Sequence, residues 1–214
     1  MGARREAHRS PDRLSDSTDA MIFMSQSGLI DENRKDEWDR WYQDHLLVMV
    51  TVPGIASAQR FATDHPNWPP SLAMYTVASA SVFEDAYYQQ VRGMGCWLPL
   101  IDRHFYRRVL FDGLPHAPAV PSELLLAVTD QCRPRGDLYG VPFLWLKAVG
   151  LDQSIFFRGI AVVASDSAKG VAGRGDVAVY RPMTARYESS RQVVAANGVA
   201  KSPGASDTNT ATAG

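Results

Sequence analysis

Of the five histidines in this 214-residue chain, His45 stands in a stretch whose large side chains recur every three to four positions. Trp38, Trp41, Tyr42, His45, Met49 and Val52 share one helical face, while Asp39, Arg40, Gln43 and Asp44 fall mainly on the polar side. An imidazole carried inward on such a face, and titrating near neutrality, could act as general base toward a ketone, lactone or phenol. The competing reading is a core histidine satisfied by a backbone carbonyl. The other histidines sit less favourably: His8 in a polar extension, His65 and His116 in proline-bounded loops, and His104 beside a basic strand.

Groups that could assist His45 follow from the elements expected around it. Tyr75 falls in a strand of a hairpin, and Tyr87 and Tyr88 in a second helix, so a phenol could steady a developing enolate or phenolate. Arg60 could do the same with its charge. For each, ordinary packing is the alternative. Trp41, Tyr42 and Met49 would give a pocket its apolar wall. Trp68, in the loop His65–Pro70, is a large apolar group on a segment expected to be exposed, where it would cap a pocket mouth or make a partner contact. No two histidines stand four apart, and Cys96 and Cys132 match no metal or redox spacing, so no metal site is expected and both cysteines read as free thiols. No cofactor is implied, although heme stays open because one axial histidine needs no motif.

These residues need elements to hold them. Met21–Ser27 reads as a strand, with Asn33 as the N-cap of a following helix that Pro53-Gly54 stops. Ile55–Ala62 and Ser71–Ala78 read as a hairpin with a long connection. Ser81 with Glu84 forms a capping box opening a helix over Val82–Arg92, and Phe105–Phe111 supplies a fourth strand. The order β-α-β-β-α-β is ferredoxin-like. After the connector Pro115–Pro121 the pattern restarts more weakly: a strand over Glu123–Thr129, a short helix over Val141–Val149, and strands over Gln153–Ala164 and Val177–Arg186. The Gly-rich Lys169–Asp176 reads as a loop. The expected division is a disordered N-terminal extension (1–20), a first ferredoxin-like unit (21–114), a second, degenerate one (115–196) and a disordered tail (197–214). The expected class is thus α+β, tandem ferredoxin-like units forming a barrel.

Composition excludes several functions. Hydrophobic residues make up 45%, charged residues 21%, and the formal net charge is -1, which describes an ordinary globular protein. The basic cluster Arg103–Arg108 is balanced by acids elsewhere, so no nucleic-acid partner is expected. No run of about 18 apolar residues exists to span a membrane, and Met1–Ala20 lacks the apolar run of a signal peptide, so the chain reads as soluble and cytoplasmic.

The segment Trp38–Leu46, followed by Val52-Pro53-Gly54 and a strand carrying Arg60-Phe61, resembles the first helix and second strand of dimeric α+β barrel proteins. Within that superfamily it is most similar to the EthD-like group, whose helix carries an aromatic residue four positions before a histidine, as Trp41 and His45 do. The resemblance covers roughly Met21 to Arg108; Leu47 departs from the proline often found two positions after that histidine. It implies four-stranded antiparallel sheets, each with its helices on one face, packing as a pair around a pocket. It further implies a homodimer and a small hydrophobic or aromatic metabolite as ligand. The implied activity is that of a cofactor-independent lyase, isomerase or monooxygenase, the alternative being a non-catalytic ligand-binding or stress-type barrel.

Overall fold

A computed structural model describes residues 20–190 of the chain. The expectations for the polar ends fall, apart from Ala20, outside that range. The elements run β1 (Met21–Ser27), α1 (Lys35–Met49), β2 (Ile55–Ala62), β3 (Ser71–Val77), α2 (Ala86–Val91), β4 (Arg107–Asp112), β5 (Leu125–Gln131), β6 (Asp137–Leu138), β7 (Val141–Pro142), β8 (Leu144–Leu151), β9 (Phe157–Val163), α3 (Ser165–Val171), β10 (Val177–Pro182) and β11 (Tyr187–Glu188). Short 3-10 turns at Glu32–Arg34, Ala80–Glu84 and Gly95–Leu100 complete the first half.

Eight strands close into one antiparallel barrel in the order β10-β5-β9-β8-β4-β1-β3-β2, with β10 returning to β2. Each half contributes four strands in the ferredoxin-like order, β4-β1-β3-β2 and β10-β5-β9-β8. The fold is therefore α+β with tandem ferredoxin-like units, and the two sheets of the barrel lie in the same chain. Closure is made by Arg181 and Pro182 against Ala62 and Phe61. Pro182 cannot donate to a ladder, so it suits the end of a strand at this seam. β11 extends the same edge of β2, pairing Tyr187 with Ala58.

Because successive strand residues face opposite sides, each strand of the first half serves two cores. Ile22 and Met24 of β1, Leu72 and Met74 of β3, and Val109 and Phe111 of β4 fill the lumen with Leu126, Val128, Leu146, Ile160 and Tyr180. Eight strands leave an interior just wide enough for side chains to fill. Phe23, Ala73, Tyr75 and Leu110 point outward instead, beneath Trp38, Tyr42, Leu46 and Met49 of α1. A smaller core lies outside the second sheet, where Ala127, Ala161 and Val177 meet Ala168 and Val171 of α3.

The second half departs from its expected pattern. Val141–Val149, read as a short helix, is mostly strand β8; Leu146 and Ala148 face the lumen and Trp145 packs on the outer core, a period of two rather than 3.6. In place of a first helix this unit has the hairpin β6–β7, whose turn residues Tyr139 and Gly140 both have positive φ (58° and 78°), as a two-residue type I′ turn demands. Part of the Gly-rich segment expected as a loop is the last turn of α3. Two caps also differ. Asp31, not Asn33, caps the approach to α1, accepting from the Asn33 N–H. Ser79 caps the 3-10 turn before α2, and Asp85 caps α2 itself by accepting from the Tyr88 N–H at 2.9 Å.

Candidate active site

α1 lies along the outer face of the first sheet, and between its C-terminal half, α2 and the sheet is a cavity of about 400 Å³. Strand alternation brings Phe23 and Ser25 of β1, Tyr75 of β3 and Arg108 of β4 to its floor. α1 contributes Tyr42, His45 and Met49, one turn apart along its buried stripe. The wall opposite is Tyr88 and Gln89 of α2, followed by Arg92–Gly95, Leu98 and Tyr106.

His45 is held from one side only. Its ring stacks on Trp41 with centroids 5.0 Å apart and planes within 9°, and it meets the edge of Tyr42 at 6.0 Å. Neither ring nitrogen bonds to a described residue, and the imidazole is part of the cavity lining. Burial pulls its pKa down from 6.5 to about 4, because a charged imidazolium loses hydration there. At neutral pH it is an uncharged proton acceptor.

The phenols are the reverse. Burial pushes Tyr42 up, against the opposing pull of the Arg60 guanidinium and of hydrogen bonding with Ser25 and Tyr75. Tyr75 is pushed up further, by burial and then by its phenol neighbours Tyr42 and Tyr88. Tyr88 is also raised by burial, less so because Arg108 and Arg92 oppose it. All three remain protonated donors at neutral pH. The Arg108 guanidinium donates to the Tyr88 oxygen, which leaves the Tyr88 proton free to point at a ligand. Arg108 lies 5.3 Å from the Phe23 ring centre and pairs with no described carboxylate. One wall thus accepts a proton, and the floor can receive negative charge on phenol and guanidinium donors.

Of the residues singled out from sequence, His45, Tyr75, Tyr42, Met49 and Tyr88 meet at this cavity, and Trp41 backs His45 from outside it. Three lie elsewhere. Arg60 is fully buried beneath α1, bonded to Asp39 at 2.6 Å and to Ser71 at 3.0 Å and sandwiched near the Trp38 and Tyr42 rings; it fixes helix to sheet and does not line the cavity. Tyr87 is exposed and bonds Thr51 at 3.1 Å, one helical position out of phase with Tyr88. Trp68, expected on an exposed loop, is only 8% exposed: its ring packs in the lumen core, and its indole N–H reaches the Gly175 carbonyl. Arg108, Arg92, Tyr106 and Ser25 are among the lining residues that the sequence did not single out as site candidates. Among the described residues no three metal-ligating side chains cluster, and His45 is the one histidine on the cavity wall that could act as an axial ligand. Among these residues no helix is long and apolar enough to cross a membrane.

The His45 environment predicts an acid sensitivity. The unfolded chain takes up its imidazole proton near 6.5, whereas the folded protein resists until about 4, so folding is penalised progressively as pH falls between those values. His45→Gln removes that penalty. Its melting temperature should fall less than that of the wild type between pH 6.5 and 4.5; parallel curves would show that His45 takes its proton as readily folded as unfolded.

No known protein family and no curated protein matches the chain in sequence. Solved structures do match its fold. A Lactobacillus acidophilus NCFM protein provisionally named a monooxygenase superposes with a TM-score of 0.50 at 9% identity, over 79% of this chain and 96% of its own. An anthrone oxidase-like protein superposes with a TM-score of 0.51 at 12% identity, over 80% and 94%. At such identities the likeness is one of fold: the chain shares the α+β barrel of these proteins.

Proposed function

We propose that the chain is a small cofactor-independent enzyme of EthD-like type that abstracts a proton from a hydrophobic carbonyl or aromatic compound, with His45 as base. The carrying observation is the meeting in one cavity of a neutral imidazole, bonded to no described residue, and a floor of phenols and a guanidinium. The stacking of Trp41 on His45, four residues apart on α1, supports the EthD-like assignment. In this reading His45 takes a proton from a carbon or oxygen next to the ring system. The charge left on the substrate oxygen is met by the Tyr75 and Tyr88 phenols. Proton removal is the step that isomerases, lyases and cofactor-free oxygenases have in common. In the oxygenase outcome, which the names of the two structural neighbours suggest, the carbanion passes its electrons to dioxygen, so that a CH2 group and O2 give C=O and H2O with no external reductant.

Anthrone is a suitable probe because its acidic CH2 adjoins an aromatic ketone system. The wild type should accelerate exchange of those protons for deuterium, followed by NMR in anaerobic D2O, and should speed oxygen uptake when air is admitted. Neither rate exceeding that of buffer, with anthrone and a panel of phenolic ketones, would end the enzymatic reading. A binding-only reading has one observation in its favour, the weak basicity that burial imposes on His45 in the empty site. It predicts tight binding of such compounds with no exchange.

A further inference from the structure

Two guanidiniums converge on the cavity, and among its lining residues there is neither Asp nor Glu. Arg108 is half-buried on β4, held by the Tyr88 oxygen and by the Phe23 and Phe83 ring faces. All of these are neutral. Arg92, just after α2, is exposed at the mouth, and both cations act on the Tyr88 phenol. Elsewhere the chain treats buried arginines differently: Arg60 has Asp39 and Arg158 has Asp130, each at 2.7 Å or less. With His45 uncharged at neutral pH, the cavity carries uncompensated positive charge, and a partly desolvated guanidinium without a carboxylate is a binding site for one.

We infer that the ligand of this site is an aromatic carboxylate, its carboxyl group held by Arg108 and Arg92 and its ring system lying against Phe23, Met94 and Leu98. The planar fork of arginine matches a carboxylate in two parallel hydrogen bonds, which fixes the ligand's orientation as well as its charge. A cavity of about 400 Å³ lies toward the small end of ligand sites, roughly 300–1,000 Å³, and suits a compact ring system. The anchor also serves proton transfer. With the carboxylate fixed at the β4 side of the floor, the far part of the ring system is directed to His45 on α1. This names the substrate class for the proposed enzyme and rests on the same cavity, though not on His45 being catalytic.

The test is binding, measured by calorimetry with 2-naphthoate and its uncharged analogue 2-naphthamide, which differ at the carboxyl group alone. The wild type should bind the naphthoate at least tenfold more tightly than the amide, with the advantage shrinking as salt is raised from 50 to 500 mM. Arg108→Met keeps the length of the side chain without its charge and should reduce the preference to threefold or less. Arg92→Gln, at an exposed position, should reduce it by a smaller factor and guards against a misfolded Arg108 variant. Equal affinity for the two probes, no binding of either at millimolar concentration, or an undiminished preference in both variants would overturn the inference. The outcomes separate from those of the enzymatic reading. A charge preference without proton exchange leaves the carboxylate site standing and removes the enzyme; proton exchange of neutral ketones without a charge preference does the opposite.

Discussion

His45→Gln should lower the rate of anthrone proton exchange by about a hundredfold or more while the protein remains folded, since a positioned general base contributes roughly 10²–10⁴. Glutamine keeps much of the volume and can hydrogen-bond, but it cannot hold a proton near neutrality. His45→Ala should be as inactive and less stable, because it also opens a gap beside Trp41, which stacks on the imidazole. A structural role predicts a different order. His45→Ala would then be unstable and His45→Gln would restore both stability and rate. The packing already weighs against that order: a core histidine is normally bonded through a ring nitrogen, and this one packs against the Trp41 and Tyr42 rings with no hydrogen bond to a described residue. Rate constants for a folded His45→Gln protein within threefold of the wild type would remove His45 from catalysis.

How far the sequence spoke for this site depended on what each residue's neighbours are. α1 was legible because fifteen helical residues repeat their apolar stripe over four turns, enough for periodicity to decide that His45 faces inward. β1 to β4 were legible because Gly and Pro punctuate them. β8 was not: Leu144–Leu151 carries Trp, Val and three Leu with no break before it beyond the short hairpin, and the expectation of a repeated strand-helix-strand order filled that gap with a helix. Arg108 was hidden in another way. Alternation shows that it and Leu110 share a face, but only the pairing of Ser25 with Arg108 reveals that the face is the one beneath the helices. Arg60 and Trp68 depend on partners far along the chain, Asp39 twenty-one residues before the one and Gly175 more than a hundred after the other. Asp39 even looked solvent-facing by period, because a residue at the border of a helical stripe can reach under the helix as well as away from it.

The lumen offers the largest expected effect on stability. Arg158 of β9 is fully buried and bonds Asp130, its direct cross-strand partner on β5, through Nε at 2.7 Å and Nη2 at 2.8 Å. Burial alone would lower the Arg158 pKa; the Asp130 carboxylate more than reverses this, so the guanidinium is held firmly charged. The two partners are not equivalent. Asp130 keeps 23% of its side chain exposed at the barrel end and Arg158 keeps none, so the cost of breaking the pair depends on which charge is stranded. Asp130→Ala leaves a guanidinium among Met24, Phe111 and Tyr180 and should cost about 3–5 kcal/mol, the usual penalty for an unpaired buried charge. For a domain of this length that is a fall of roughly 6–20 °C in melting temperature. Arg158→Met leaves a carboxylate that water can reach and puts a flexible apolar side chain into the lumen, so it should cost less than half as much. The double variant, Arg158→Met combined with Asp130→Leu, should be at least as stable as Arg158→Met alone, since no charge then remains inside. Calorimetric melting of the three proteins reads the order directly. If Arg158→Met proves as damaging as Asp130→Ala, water reaches the guanidinium through the barrel end, and the lumen is wetter than its packed side chains imply.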